Sequence, residues 1–146
     1  MIVDVVTRIV IYRPRTLVAA FAGDPSNARR WYENIKSVEW KTPPPLAAGS
    51  QITFVAHFLG RRMAYTYGIM EYVPPERLVM ATSEGPFPME TTYTWQSVDH
   101  DRTEMTLRNR GIPTGFSRLL SPLMAFAMRR ANQKDLARLK ALPEQS

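Results

Sequence analysis

The sequence contains no cysteine. Disulfide scaffolds, thiolate metal sites and cysteine nucleophiles are excluded with it. Histidine occurs only at His57 and His100, too few for a multi-histidine metal centre. The seven glycines are scattered and build no phosphate-cradling loop. No run reaches the ~18 apolar residues that would span a bilayer. The longest apolar-rich segment, Phe116 to Met128, is interrupted by Ser117, Arg118, Ser121 and Pro122. Residues 1–12 include Asp4 and Arg8 and lack the basic start, apolar run and small-residue cleavage site of a secretory leader. The expectation is a cytoplasmic protein with no metal and no cofactor.

What is present is ordinary for a globular domain. Of 146 residues, 45% are hydrophobic and 22% charged, which rules out disorder, collagen and coiled coil. The length fits a single domain over residues 1–146, able to bury a core without staples. The net charge is +6, and arginine supplies 15 of the 19 basic residues. Between Gly115 and Ser146 six basic residues face two acidic ones. A solvated helix face accounts for that cluster; attraction to an anionic membrane surface or an acidic ligand head is the functional alternative.

The first and middle parts of the chain alternate with period two. Val3, Val5, Thr7, Ile9 and Ile11 share one face, and charges are confined to the other. Pro14 suits the start of a helix, Gly23 its end, and Asp24-Pro25 the start of a second short one reaching Trp31. Strands are expected at Ile35 to Lys41, Gln51 to Phe58, Arg62 to Val73, Arg77 to Glu84, Met89 to Val98 and Glu104 to Arg110. A two-residue turn at Gly60-Arg61 would pair Phe58 with Met63, Ala56 with Tyr65, Phe54 with Tyr67 and Ile52 with Ile69. The loop at Asp99 to Arg102 sets Trp95 opposite Met105 and Tyr93 opposite Leu107. A turn over Thr114 to Leu120 precedes a long helix opened by Ser121-Pro122. Its apolar stripe is read as Leu120, Leu123, Met124, Ala127, Met128, Ala131 and Leu139. The fold class is therefore α+β: a curved antiparallel sheet of about seven strands wrapped around the long C-terminal helix, with two short helices after the first strand.

This order resembles the helix-grip fold of START domains and the birch-pollen allergen, and more specifically the bacterial polyketide cyclase/dehydrase-like family. The residues that carry the likeness run along nearly the whole chain. They are Ile9-Val10-Ile11-Tyr12-Arg13-Pro14, Asp24-Pro25 with Trp31, Gly49-Ser50-Gln51-Ile52, Phe58-Leu59-Gly60, the stretch from Met70 through Pro74-Pro75 to Leu78, Gly85-Pro86, Tyr93-Thr94-Trp95, Asp135-Leu136 and Leu139-Lys140. The resemblance implies an internal cavity between sheet and helix, open to apolar small molecules. It does not imply a reaction, because similar proteins include lipid carriers, ubiquinone binders, aromatase/cyclases and hormone receptors.

Phe54, Tyr65, Tyr67, Tyr93 and Trp95 all fall on the inward face. Ordinary core packing explains such a set in most folds. Buried phenols and indoles, however, need polar partners that a cavity supplies. Methionines at Met80, Met124 and Met128 adapt to varied shapes. The expected ligand-binding set is Phe54, Tyr65, Tyr67, Ile69, Met80, Tyr93, Trp95, Asn109, Met124 and Met128. Asn109 is either a strand-end residue or a group that orients a ligand oxygen. Glu71 is read as turned outward by a bulge before Pro74-Pro75. Thr82 and Thr91 are read as strand formers, and His57 as an outer-face residue. No catalytic residue is assigned.

The leading function is binding or transport of an apolar or aromatic small molecule: a polyketide, isoprenoid or lipid-like compound. The alternatives are a polyketide aromatase/cyclase or dehydratase with a cavity acid/base, and a protein-interaction module without ligand. Nucleic acid is disfavoured because the aromatics point inward. Peripheral membrane contact is compatible with the basic helix, and the chain is expected as a monomer or homodimer.

Overall fold

A computed structural model describes residues 3–58, 60–84, 88–113 and 121–144. The chain runs β1 (Val3–Ile11), α1 (Arg15–Ala22), a 3-10 turn (Pro25–Asn27), α2 (Ala28–Trp31), β2 (Ile35–Trp40), β3 (Gln51–Phe58), β4 (Arg61–Val73), β5 (Arg77–Thr82), β6 (Met89–Asp99), β7 (Arg102–Gly111) and α3 (Ser121–Glu144). The strands form one seven-stranded antiparallel sheet in the order β1-β7-β6-β5-β4-β3-β2. β2 to β7 form a meander; β1 adds to β7. Among the described residues no helix is long and apolar enough to cross a membrane. The turn expected at Thr114 to Leu120, and Gly85 to Phe87, lie outside the described residues.

Period-two patterning sets the sheet's inner face. β1 buries Val3, Val5, Thr7 and Ile11 and exposes Asp4 and Arg8. β6 and β7 pair with Trp95 opposite Met105 and Tyr93 opposite Leu107, as the spacing predicts. The β3–β4 hairpin differs. Phe58 pairs with Arg61, Phe54 with Tyr65 and Ile52 with Tyr67. The turn thus sits one residue earlier than expected, and Gly60, at φ 75°, holds its second position. A displacement of two in the pairing leaves every side chain on its expected face. In β4 a bulge between Ile69 and Glu71 reverses the alternation. Tyr72 then turns toward the core, while Glu71 turns out and meets Arg77 in an exposed ion pair.

Three close fits fix the helices. Gly23 ends α1 where its Cα faces Trp95; a Cβ there would lie 2.7 Å from the Ala19 carbonyl oxygen and 3.3 Å from the Trp95 ring. Asp24 caps the next turn by accepting the Ser26 N–H at 2.9 Å. Lys140 of α3 donates to the Val10 carbonyl at 2.9 Å and lies over the Tyr12 ring. α3 packs along β1 and α2. Its buried face carries Asn132, Asp135, Leu136 and Leu139. The buried face differs from the stripe expected from the sequence. Leu123 and Ala127 are exposed, and Leu136 replaces them in the core. Two buried polar residues interrupt the apolar pattern, so hydrophobicity alone places the face one position off.

Candidate functional site

Inside the curve of the sheet lies a cavity of about 180 Å³. Its walls are Tyr32 and Ile35 from the α2–β2 segment, Phe54 and Ala56 of β3, Tyr65 and Tyr67 of β4, Met80 of β5, Thr91 and Tyr93 of β6, and Asn109 of β7. Larger clefts, of about 420 Å³ between α1 and the loop after β2 and about 390 Å³ at the β5–β6–β7 end, are open surface grooves.

Two hydrogen-bonded groups line the cavity. The Tyr32 and Tyr93 hydroxyls lie 2.6 Å apart. The Thr91 hydroxyl donates to Asn109 Oδ1 at 2.7 Å, beside Tyr67 on the cavity wall. Tyr65 donates to Met63 Sδ at 3.0 Å. The rings around them pack edge-on: Phe54 against Tyr67 at 5.6 Å, Tyr93 against Trp95 at 6.1 Å. Burial raises the Tyr32, Tyr67 and Tyr93 phenols above their ordinary range. All three are neutral hydroxyls at physiological pH, able to donate and accept.

Behind this wall stands Asp135 of α3. It is 7% exposed and accepts the backbone N–H of Glu33 at 3.1 Å. Burial pushes its carboxyl up to about 6, against the opposing pull of that N–H and of Arg138. Its charge also acts on Tyr32 and Tyr93.

Six of the residues expected at the site meet at this cavity: Phe54, Tyr65, Tyr67, Met80, Tyr93 and Asn109. Four lie elsewhere. Ile69, opposite Met80, is core beneath the cavity. Trp95 is sealed under α1 by Gly23. Met124 and Met128 pack with Met89 on Val3 and Val5, because α3 lies along the β1 side of the sheet. No described α3 residue lines the cavity, so its position between sheet and C-terminal helix is corrected to one between the sheet and the α2–β2 segment. The sequence reading missed Tyr32, Ile35, Ala56, Thr91 and Asp135. For Thr91 a signal existed, since it falls two residues before Tyr93 on the same face. His57 is exposed on the outer side of β3.

Solved structures share this fold. TTHA0849 from Thermus thermophilus superposes with a TM-score of 0.80 at 21% identity, over 98% of this chain and 99% of that one. Zhui aromatase/cyclase from Streptomyces sp. R1128 gives 0.81 at 15% identity, over 99% and 95%. Ara h 8.0201 gives 0.77 at 9% identity, over the whole of both chains. No curated protein matches by sequence. A family model for polyketide cyclase/dehydrase and lipid transport matches residues 3–144, and the chain belongs to that family.

Proposed function

We propose that the protein binds a small, uncharged aromatic or apolar molecule bearing a hydroxyl or carbonyl oxygen. One observation carries this reading: among the described residues no lining side chain is charged, while five hydroxyls and one amide project among apolar walls. Such a site suits a neutral ring and offers no cation to offset the desolvation of a buried carboxylate. Size points the same way. About 150 Å³ of apolar cavity suffices for benzene, so about 180 Å³ suits one or two rings. The Tyr32–Tyr93 and Thr91–Asn109 pairs would orient the ligand oxygen.

Native mass spectrometry of protein purified from its host tests this. The expected result is a co-purifying neutral mass that disappears in Tyr67→Ala. A clean unliganded mass, with no thermal shift across phenols and hydroxylated polycycles, would contradict it.

The family description and Asp135 favour a second reading, cyclisation or dehydration of a polyketide. The Tyr32–Tyr93 pair would then serve as proton donor, with Asp135 behind it. Glu71 has no part, since it lies outside in its ion pair with Arg77. Turnover of an aromatic polyketide chain, with a pH profile abolished by Asp135→Asn, would support this reading over simple carriage.

A further inference from the structure

We infer that the exposed face of α3 docks on an anionic lipid bilayer, with Leu123 and Phe126 entering the interface and Arg130, Lys134 and Arg138 resting on lipid phosphates. At 100° per residue, positions 123, 126, 127, 130, 134, 137 and 138 fall in one stripe. All seven are exposed. The stripe changes character along its length. Its N-terminal part is apolar, with Leu123 65% and Phe126 61% exposed. From Arg130 on it is cationic, and Arg129 flanks it. No exposed acidic residue interrupts it between Leu123 and Arg138, because Asp135 is buried on the packed face of the helix. Arg129, Arg130 and Lys134 join none of the ion pairs among the described residues.

Segregation of this kind fits a bilayer better than nucleic acid or an acidic protein. Two large apolar side chains protruding beside cations gain nothing from a phosphate backbone. At a membrane they enter the acyl boundary while the cations meet headgroups. The rise along the helix puts Arg130 about 6 Å and Lys134 about 12 Å beyond Phe126. A modest tilt, apolar end down, therefore keeps both at headgroup level.

A third apolar side chain marks the same end of the molecule. Ile112, 60% exposed, follows Gly111, which pairs with Val3. Met124 and Met128, on the inner side of α3, pack on Val3 and Val5. Val5 in turn pairs with the cavity residue Asn109. The docking face thus sits at the end of the sheet that holds the cavity.

Vesicle flotation tests the inference without any cavity ligand, so its outcome is separate from that of the binding reading. The probes are phosphatidylcholine vesicles and mixed phosphatidylglycerol–phosphatidylcholine vesicles. The expected result is binding to the mixed vesicles alone. Arg130→Gln and Lys134→Gln should each weaken it about fivefold, and Leu123→Ser with Phe126→Ser roughly tenfold or more. Absence of binding to the mixed vesicles at low salt would overturn the inference. So would binding that the two serines leave unchanged. Tight, salt-dependent binding of duplex DNA that is indifferent to those serines would assign the face to nucleic acid instead.

Discussion

The hydroxyls of Tyr32 and Tyr93 lie 2.6 Å apart, one from the end of α2 and the other from the middle of β6. This contact ties the α2–β2 segment to the sheet at the cavity wall, and Asp135 sits behind it. Replacing Tyr93 by Phe leaves the Tyr32 hydroxyl without that partner in a desolvated site. A loss of about 1–3 kcal/mol in urea unfolding is expected. The same desolvation keeps Tyr32, Tyr67 and Tyr93 protonated beyond the ordinary phenol range. In an alkaline absorbance titration their phenolate signals should emerge only as the protein unfolds. Early, reversible ionisation of all six tyrosines would contradict the geometry.

Asp135 gives the fold a pH dependence of definite sign. Its carboxyl titrates near 6 in the folded chain, against 3.8 for the ordinary group. Between those values the folded state holds more protons than the unfolded one. Stability contributed by this group is therefore present in acid and falls as pH rises through about 6, by at most about 1.4 kcal/mol per pH unit. Asp135→Asn keeps an oxygen for the Glu33 N–H and removes the charge. It should flatten this part of the stability profile and leave the protein more stable at neutral pH. Parallel profiles for the two proteins would show that the carboxyl is not desolvated.

Gly23 is required by proximity to the Ala19 carbonyl oxygen and the Trp95 ring, and not by its backbone angles, which are helical. The Cβ of Gly23→Ala would press on a backbone oxygen that cannot rotate away. A destabilisation of about 1–3 kcal/mol follows, together with a change in Trp95 fluorescence. An unchanged melting temperature would mean that α1 shifts freely against the sheet.

Much of the sheet was legible because alternation and short turns specify faces strongly. Tyr93–Leu107 and Trp95–Met105 emerge from sequence alone. The β3–β4 pairing was displaced because the inner face is rich in similar residues, so aromatic complementarity does not distinguish registers two apart. Only the turn geometry at Gly60 does so. The helix contribution was the least legible part. Asn132 and Asp135 occupy core positions that polarity argues against, and the partner of Asp135, the Glu33 N–H, lies far along the chain. Methionine at positions 124 and 128 signals burial, but not which strand it packs on. Tyr32 escaped notice because it follows a single-turn helix with too few residues to show a period.

The central claim is that the cavity takes a neutral ring. Calorimetric titration of 2-naphthol and 2-naphthoate into the wild-type protein and Ala56→Trp tests it most directly. Ala56 faces the cavity from β3, so an indole there occupies the ligand's space. Ala56→Leu serves as the milder filling variant if the indole overpacks the strand. The expected result is measurable naphthol binding, naphthoate binding weaker by about tenfold or more, and loss of both in the filled variants. Naphthoate preferred over naphthol, or naphthol binding that survives filling, would contradict the assignment.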